Sequence, residues 1–465
     1  MRNFPLIKSI RIAEIASPMM MLLPQRIRPD SSAALPRRRA MPFIMTLEAD
    51  GGKRAVPNTF SVPSNYKAPR LDFPEIGVGC RAWGDPRRGW GQTFNSTDVA
   101  EAFEICNDAG VCLFDTSEVY GFQSVKLSES SEQLISSLVA SSMAPPMIST
   151  KFMPVPWTNL LAGAGVRMGR HAVVDAARAS IARLGLGSLD LYSLHAPLPY
   201  IGGRRALYEG LAEVYSLGLC RGVGLCNFGA AQLREACVEL RRLGVPVVAN
   251  QIRYSVMNIE RELDGTIETC LELGVTPVAH TPLAGGLATE YYSHALARRG
   301  GRRGRVGRYD SKQLVKRRGE ARTGTHAASG VPLAILLAIR CLSVLRIECA
   351  IASTPSIEQR ASAPSNLTAV HVSTQLTLSH MFETMSAVSE EVSTESTPRS
   401  EAQVALRFAV AKGCVPIPGV NNAAQAREVT AAMDWALDLS QAEALSEQAV
   451  LLHSRRRELS WLKGL

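Results

Sequence analysis

Four residues of complementary chemistry close short apolar runs in this chain: Asp115 and Tyr120 in "LFDTSEVYG", Lys151 in "STKF" and His195 in "YSLHAP". A phenol, with an ordinary pKa of ~10, is a poor acid at neutral pH. An adjacent ammonium favours the phenolate and makes the phenol a usable proton donor, and a carboxylate beside the ammonium keeps that charge in place. An imidazole at the same spot can hydrogen-bond a substrate oxygen and align a carbonyl. Such a set suits reduction of C=O, in which hydride reaches carbon and a proton reaches oxygen. Taken singly, each residue has a plainer reading as a solvated lysine, a rim histidine or an Asp–Tyr turn. Their appearance at successive strand ends is what the plainer readings do not explain. Asn227 in "LCNF" and Gln251 in "ANQ" continue the series.

The elements that must position these groups alternate in type. Apolar runs "EIGVGC", "VCLFDT", "PMIST", "LDLYSLH", "CRGVGLCNF", "PVVANQI" and "VTPVAHTPL" are separated by helical patterns at 96–109, 131–140, 172–184, 204–217, 230–243 and 259–273. The last run, "CVPIPGV", follows a helical pattern at 400–412. Eight βα-like units predict an α/β fold, a closed (β/α)8 TIM barrel, with the chemistry at the C-terminal ends of its strands. "IGVGC" does not complete GxGxxG, which argues against an open dinucleotide-binding sheet.

Composition narrows the class. With 465 residues, 46% of them apolar and 20% charged, the chain can bury a large core. Its 10 cysteines form no CxxC pair and no Cys/His cluster at metal spacing, so reduced thiols of an intracellular compartment are expected, with no disulfide and no structural metal. The net charge of +9 is local, concentrated in the first 54 residues and in the run 297–318. No nucleic-acid motif accompanies either cluster, and no apolar stretch is long enough for a membrane span. The Arg-rich, acid-poor N-terminus, residues 1–70, has the composition of a transit peptide, read as chloroplast with mitochondrion or cytoplasm as alternatives. A disordered tail or a misplaced start would also account for it. The remainder, 71–465, is expected to form the barrel, interrupted between strands seven and eight by an insertion at 323–378 of unclear periodicity. That insertion reads as a lid, a disordered segment or a retained intron.

The motifs "DTSEVYG", "STKF", "DLYSLHAP", "GVGLCNFG", "NQIRYS" and "PIPGVNNAAQA" together resemble those of the aldo-keto reductases, plant or algal plastid-type members included. The resemblance covers 72–287 and 400–448. It implies NADP(H) as cofactor, a small-molecule carbonyl substrate, a monomer, and Asp115, Tyr120, Lys151 and His195 as the catalytic tetrad with Tyr120 as acid. It implies Trp83 as a wall of the substrate pocket. Cofactor contacts carried over are Cys226, Asn227, Gln251, His280, Thr281, Leu283, Gly419, Asn421 and Arg427. Cys226 stands where the family has Ser, and His280 where it stacks a tyrosine on nicotinamide. Near the 2′-phosphate the loop offers Asn421 and Gln425, with only Arg427 as a cation. A rival reading, by resemblance to potassium-channel β-subunits, is a redox-sensing regulatory subunit with marginal turnover.

Overall fold

A computed structural model describes residues 71–121, 130–142, 144–154, 167–289 and 363–462. The expected transit peptide, the basic run 297–318 and the insertion up to residue 362 lie outside the described residues.

The eight strands are β1 (Val78–Gly79), β2 (Leu113–Asp115), β3 (Met147–Phe152), β4 (Leu189–Leu194), β5 (Cys220–Cys226), β6 (Val247–Arg253), β7 (Thr276–His280) and β8 (Val415–Ile417). They pair in parallel in chain order. The ring closes where Gly77 N and Gly79 N donate to Pro416 O at 2.9 Å and Pro418 O at 2.8 Å. The α/β barrel read from the sequence is therefore the fold, and the long chain excursion between β7 and β8 does not part them: Val278, Ala279 and His280 sit opposite Val415, Pro416 and Ile417.

Around the barrel run α1 (Ser96–Asp108), α2 (Ser131–Ser141), α3 (Gly169–Leu184), α4 (Gly203–Ser216), α5 (Ala230–Arg242), α6 (Glu260–Leu263) and α7 (Thr266–Glu272). Beyond β7 come α8 (Ala363–Val392), α9 (Glu401–Ala411), α10 (Ala423–Thr430) and α11 (Leu439–Leu462). Local chemistry sets several boundaries. Asn95 and Asp98 form a reciprocal capping box at the start of α1, and Val99, Ala102, Phe103 and Cys106 bury one stripe of it. Ser400 and Gln403 cap α9 in the same way. The helical pattern at 259–273 is broken, because Gly265 at φ 75° is left-handed and Asp264 Oδ1 accepts from Thr266 N at 3.0 Å. The end of the expected insertion is helical, since α8 begins at Ala363 and buries Leu378, Met381, Phe382, Met385 and Val388 in a cluster with Phe408 and Leu445. Ser and Thr between those positions masked this helical spacing.

The lower barrel is plugged by Leu113, Leu191, Val248, Val278, Val415 and Ile417, with Leu71 and Phe73 packed against them. Polar side chains are left to the C-terminal rim. The described cysteines are all free, and among the described residues no helix is long and apolar enough to cross a membrane.

Closure puts a tight demand on Gly79, where a Cβ would lie 2.9 Å from Ile417 O. Gly79→Ala should therefore push β8 off β1 and cost about 1–3 kcal/mol in denaturant unfolding. Gly187→Ala, where a Cβ meets nothing within 4 Å, should change stability by no more than about 0.5 kcal/mol. Equal midpoints for the two variants would show that the β1–β8 seam tolerates the methyl.

Candidate active site

Strand order brings Asp115 and Lys151 together, because β2 and β3 are neighbours and both side chains point inward at the rim. Lys151 is fully buried and its Nζ donates to Asp115 Oδ2 at 2.5 Å and to Thr116 O at 2.7 Å. Ser149 donates to the other carboxylate oxygen at 2.8 Å, so both Asp115 oxygens are engaged. Burial pulls the Lys151 ammonium down, but the Asp115 carboxylate, followed by Tyr120, outweighs it and holds the lysine above its ordinary value.

Tyr120 sits over this pair, with Lys151 Nζ 5.1 Å from its ring centroid. Its hydroxyl lies 3.5 Å from His195 Nε2, and the two rings meet edge-on. Burial raises the Tyr120 phenol above its usual value, Lys151 opposes that rise and Asp115 adds to it. The ammonium does favour the phenolate as expected, but burial outweighs it, and Tyr120 is a protonated phenol at neutral pH. His195 is held well below the ordinary imidazole value by burial, then by Lys151, Arg81 and His280, so its ring is neutral. The Tyr120 loop is pinned by Glu118, whose Oε1 accepts from Met153 N at 2.7 Å and from Arg167 Nη1 at 2.6 Å.

A second group lines the tips of β5, β6 and β7. Cys226 Sγ donates to Gln251 Oε1 at 3.7 Å and accepts from Asn227 Nδ2 at 3.3 Å. His280 Nε2 lies 3.1 Å from Asn227 Oδ1, and its Nδ1 lies 3.0 Å from Thr281 Oγ1. Burial first, then Lys151, Arg81 and Arg253, lower His280 to about 4, while burial pushes the Cys226 thiol up to about 12. Asn227 and Thr281 have φ of 62° and 59°, left-handed values that non-glycine residues adopt at a cost of ~1–3 kcal/mol each.

Other expected contacts fall elsewhere. Leu283 is partly buried between two core clusters. Gly419 faces solvent and bridges to Gly79, which puts it at the seam. Asn421 N donates to Gln425 Oε1 at 2.8 Å, and its buried Oδ1 has no hydrogen-bond partner. Arg427 points away along α10 to Glu101, 3.3 Å distant and also exposed. Trp83 has no exposed surface and donates its indole N–H to Val420 O at 2.8 Å, so it braces the β1 and β8 loops. Residues that sequence reasoning passed over are Ser149 and Ser117, the latter buried with its Oγ 3.0 Å from His195 Nδ1. Both lie inside the quoted motifs, and alternation along a strand and its loop was the signal available for them. Among the described residues no cluster of His, Cys, Asp or Glu could hold a metal ion.

The sequence model of the aldo/keto reductase family matches residues 75–449. The chain belongs to that family. Among curated relatives of this aldo/keto reductase is the chloroplastic pyridoxal reductase of Arabidopsis thaliana, 31% identical over 236 residues, which are 48% of this chain and 60% of that protein. A 6-dehydroglucose reductase of Novosphingobium aromaticivorans is 27% identical over 226 residues, covering 47% of this chain and 69% of that protein. The match thus spans only about 60% of the length of the first of these relatives. Among solved structures, a glycerol dehydrogenase from Gluconobacter oxydans aligns with a TM-score of 0.52 at 16% identity, over 82% of this chain and 94% of that one. A holo aldo-keto reductase from Bacillus halodurans aligns at 0.50 and 14%, over 82% and 96%. At such identities the likeness shows the fold alone.

The two neutral histidines set a pH dependence. The folded chain leaves His280 unprotonated down to about pH 4, whereas an unfolded imidazole takes a proton near its ordinary value of ~6.5. Between those values the unfolded state holds more protons, so stability rises with pH and is lost as pH falls from ~6.5 towards ~4, by at most about 3 kcal/mol for this residue. His195 acts in the same direction. Urea unfolding at pH 7.5, 5.5 and 4.5 should show the loss, and His280→Gln should reduce its slope. An unchanged slope in the variant would mean that His280 is not the group responsible.

Proposed function

We propose that the protein is an NADP-dependent oxidoreductase that reduces aldehydes or ketones to alcohols, working as a monomer on a small-molecule substrate. One observation carries this reading: a buried Lys151–Asp115 pair beneath a protonated Tyr120 whose hydroxyl meets a neutral His195. When bound, the reduced nicotinamide nucleotide supplies the hydride. Tyr120 Oη gives its proton to the substrate oxygen, and the Lys151 ammonium stabilises the phenolate left behind. Asp115 keeps Lys151 charged and aimed at the ring. His195 Nε2 shares the substrate oxygen with Tyr120 and so fixes the direction of the carbonyl.

The rim fits the cofactor by its donor set. Cys226, Asn227, Gln251, His280, Thr281 and Leu283 would hold the nicotinamide end, and Gly419, Asn421 and Arg427 the adenosine end. The unpartnered Asn421 Oδ1 is a buried acceptor that such a ligand would satisfy. Arg427 is the cation for a 2′-phosphate, and its exposed pair with Glu101 costs little to open.

Tyr120→Phe should lower turnover of an aldehyde and quinone panel by at least ~10²-fold, the usual worth of a positioned proton donor. NADPH binding, read by fluorescence, should stay within about twofold. Comparable turnover in the variant would remove Tyr120 from the role of acid, whereas marginal turnover of the whole panel by the unaltered protein would favour the redox-sensing alternative.

We also infer that residues 1–70 are a chloroplast-targeting segment, supported by their Arg-rich composition and by the plastid location in the name of the Arabidopsis relative. A fluorescent protein fused behind residues 1–70 should enter chloroplasts. Retention of the fusion in the cytosol would defeat this inference.

A further inference from the structure

Five side chains on three strand tips share one unbroken hydrogen-bonded row. Thr281 Oγ1 is 3.0 Å from His280 Nδ1, His280 Nε2 is 3.1 Å from Asn227 Oδ1, Asn227 Nδ2 is 3.3 Å from Cys226 Sγ, and Cys226 Sγ is 3.7 Å from Gln251 Oε1. An amide oxygen only accepts, so His280 must donate to Asn227 from Nε2. With one ring proton spent there, the neutral ring presents a bare Nδ1, and the Thr281 hydroxyl must donate to it. Asn227 then donates to sulfur, and the thiol donates to Gln251. Every member gives to the next in one direction. Reversing the row would take a flip of both the Asn227 and the Gln251 amides, and would move the ring proton to Nδ1.

We propose that His280 is a positioning residue: donating from Nε2, it sets a one-way hydrogen-bond chain from Thr281 to Gln251 that presets the side-chain orientations of Asn227, Cys226 and Gln251 at the mouth. The chain leaves the Gln251 amide nitrogen, which makes no hydrogen bond to the described residues, as a donor for a carbonyl-type oxygen of a ligand. Two further observations support it. Asn227 and Thr281 meet the two ring nitrogens with their side chains, and both hold strained left-handed backbone. Burial also keeps the ring neutral over the physiological range, so that it can both donate and accept. The consequence for binding rests on the cofactor reading above, whereas the chain itself does not.

The test begins with the full chain, labelled with ¹⁵N-histidine and free of nucleotide, at pH 7. Long-range ¹⁵N–¹H correlation spectra, assigned by comparison with His280→Gln, should show His280 protonated on Nε2 and bare on Nδ1. Thr281→Val should remove the lock and give exchanging tautomers. A proton on Nδ1, or mixed tautomers already in the unaltered protein, would overturn the proposal. For the binding consequence, His280→Phe should weaken NADPH at least tenfold and leave adenosine 2′,5′-bisphosphate, which lacks nicotinamide, bound as before. His280→Gln, which keeps an N–H donor, should regain most of the loss. Undiminished NADPH affinity in the Phe variant would sink the positioning role. If neither nucleotide binds the unaltered protein, the cofactor reading fails, and the tautomer spectra alone decide the chain.

Discussion

The rim of this barrel is organised by one buried ion pair, Lys151 with Asp115 at 2.5 Å. Removing both charges from water costs several kcal/mol per ion, and their attraction returns that only when the remaining donors and acceptors are also satisfied. Ser149 and Thr116 O supply those partners. The pair therefore requires β2 and β3 side by side at a fixed register, with Leu113 opposite Met147 and Asp115 opposite Ser149. Removal of either partner strands a buried charge, so the two residues stand or fall together. The closed barrel is what makes this affordable, because its lower half is apolar and its upper half supplies oppositely charged and polar groups at the ends of successive strands.

Around that pair the electrostatics are uneven. Lys151 depresses both His195 and His280 and opposes the rise of Tyr120, while Arg81 acts in the same direction on all three. Burial nevertheless dominates each of these shifts, so the rings at the mouth are uncharged while the charges beneath and beside them are paired, Lys151 with Asp115 and Arg167 with Glu118. Neutral rings can donate on one side and accept on the other. This is why Ser117, His195 and Tyr120 make one hydrogen-bonded row on the β2 and β4 side, and why Thr281, His280 and Asn227 make another on the β5 and β7 side.

Much of this was legible in the sequence for a simple reason: strand-end residues are adjacent in the fold whenever strands pair in chain order, so the linear series Asp115, Lys151, His195, Asn227, Gln251 and His280 maps directly onto a rim. What was hidden depended on depth and partners. Trp83 was read as a pocket wall, and nothing in "AWGD" reveals that its indole reaches the Val420 carbonyl across the closing seam. The pull of the lysine on the Tyr120 phenol was legible, whereas the opposing cost of burial belongs to the packed state. The break at Gly265 and the helix through Leu378 were missed because a single glycine can end a helix while Ser and Thr can sit within one, and packing decides between them.

Backbone strain separates the two halves of the rim. Among the described residues, the non-glycine positions with positive φ are Asn227, Thr281 and Ala284, all at the tips of β5 and β7. The tetrad side has none, and its side chains are held by ion pairing and by the Glu118 anchor to Met153 and Arg167. A strained residue persists only where its surroundings over-determine it. At Asn227 the backbone N–H is tied to Gln251 O at 2.7 Å and both ends of the side-chain amide are engaged. The two sides thus meet their positional demands by different means: charge neutralised at depth beneath Tyr120, and an amide held in a left-handed turn by neutral hydrogen bonds beside it.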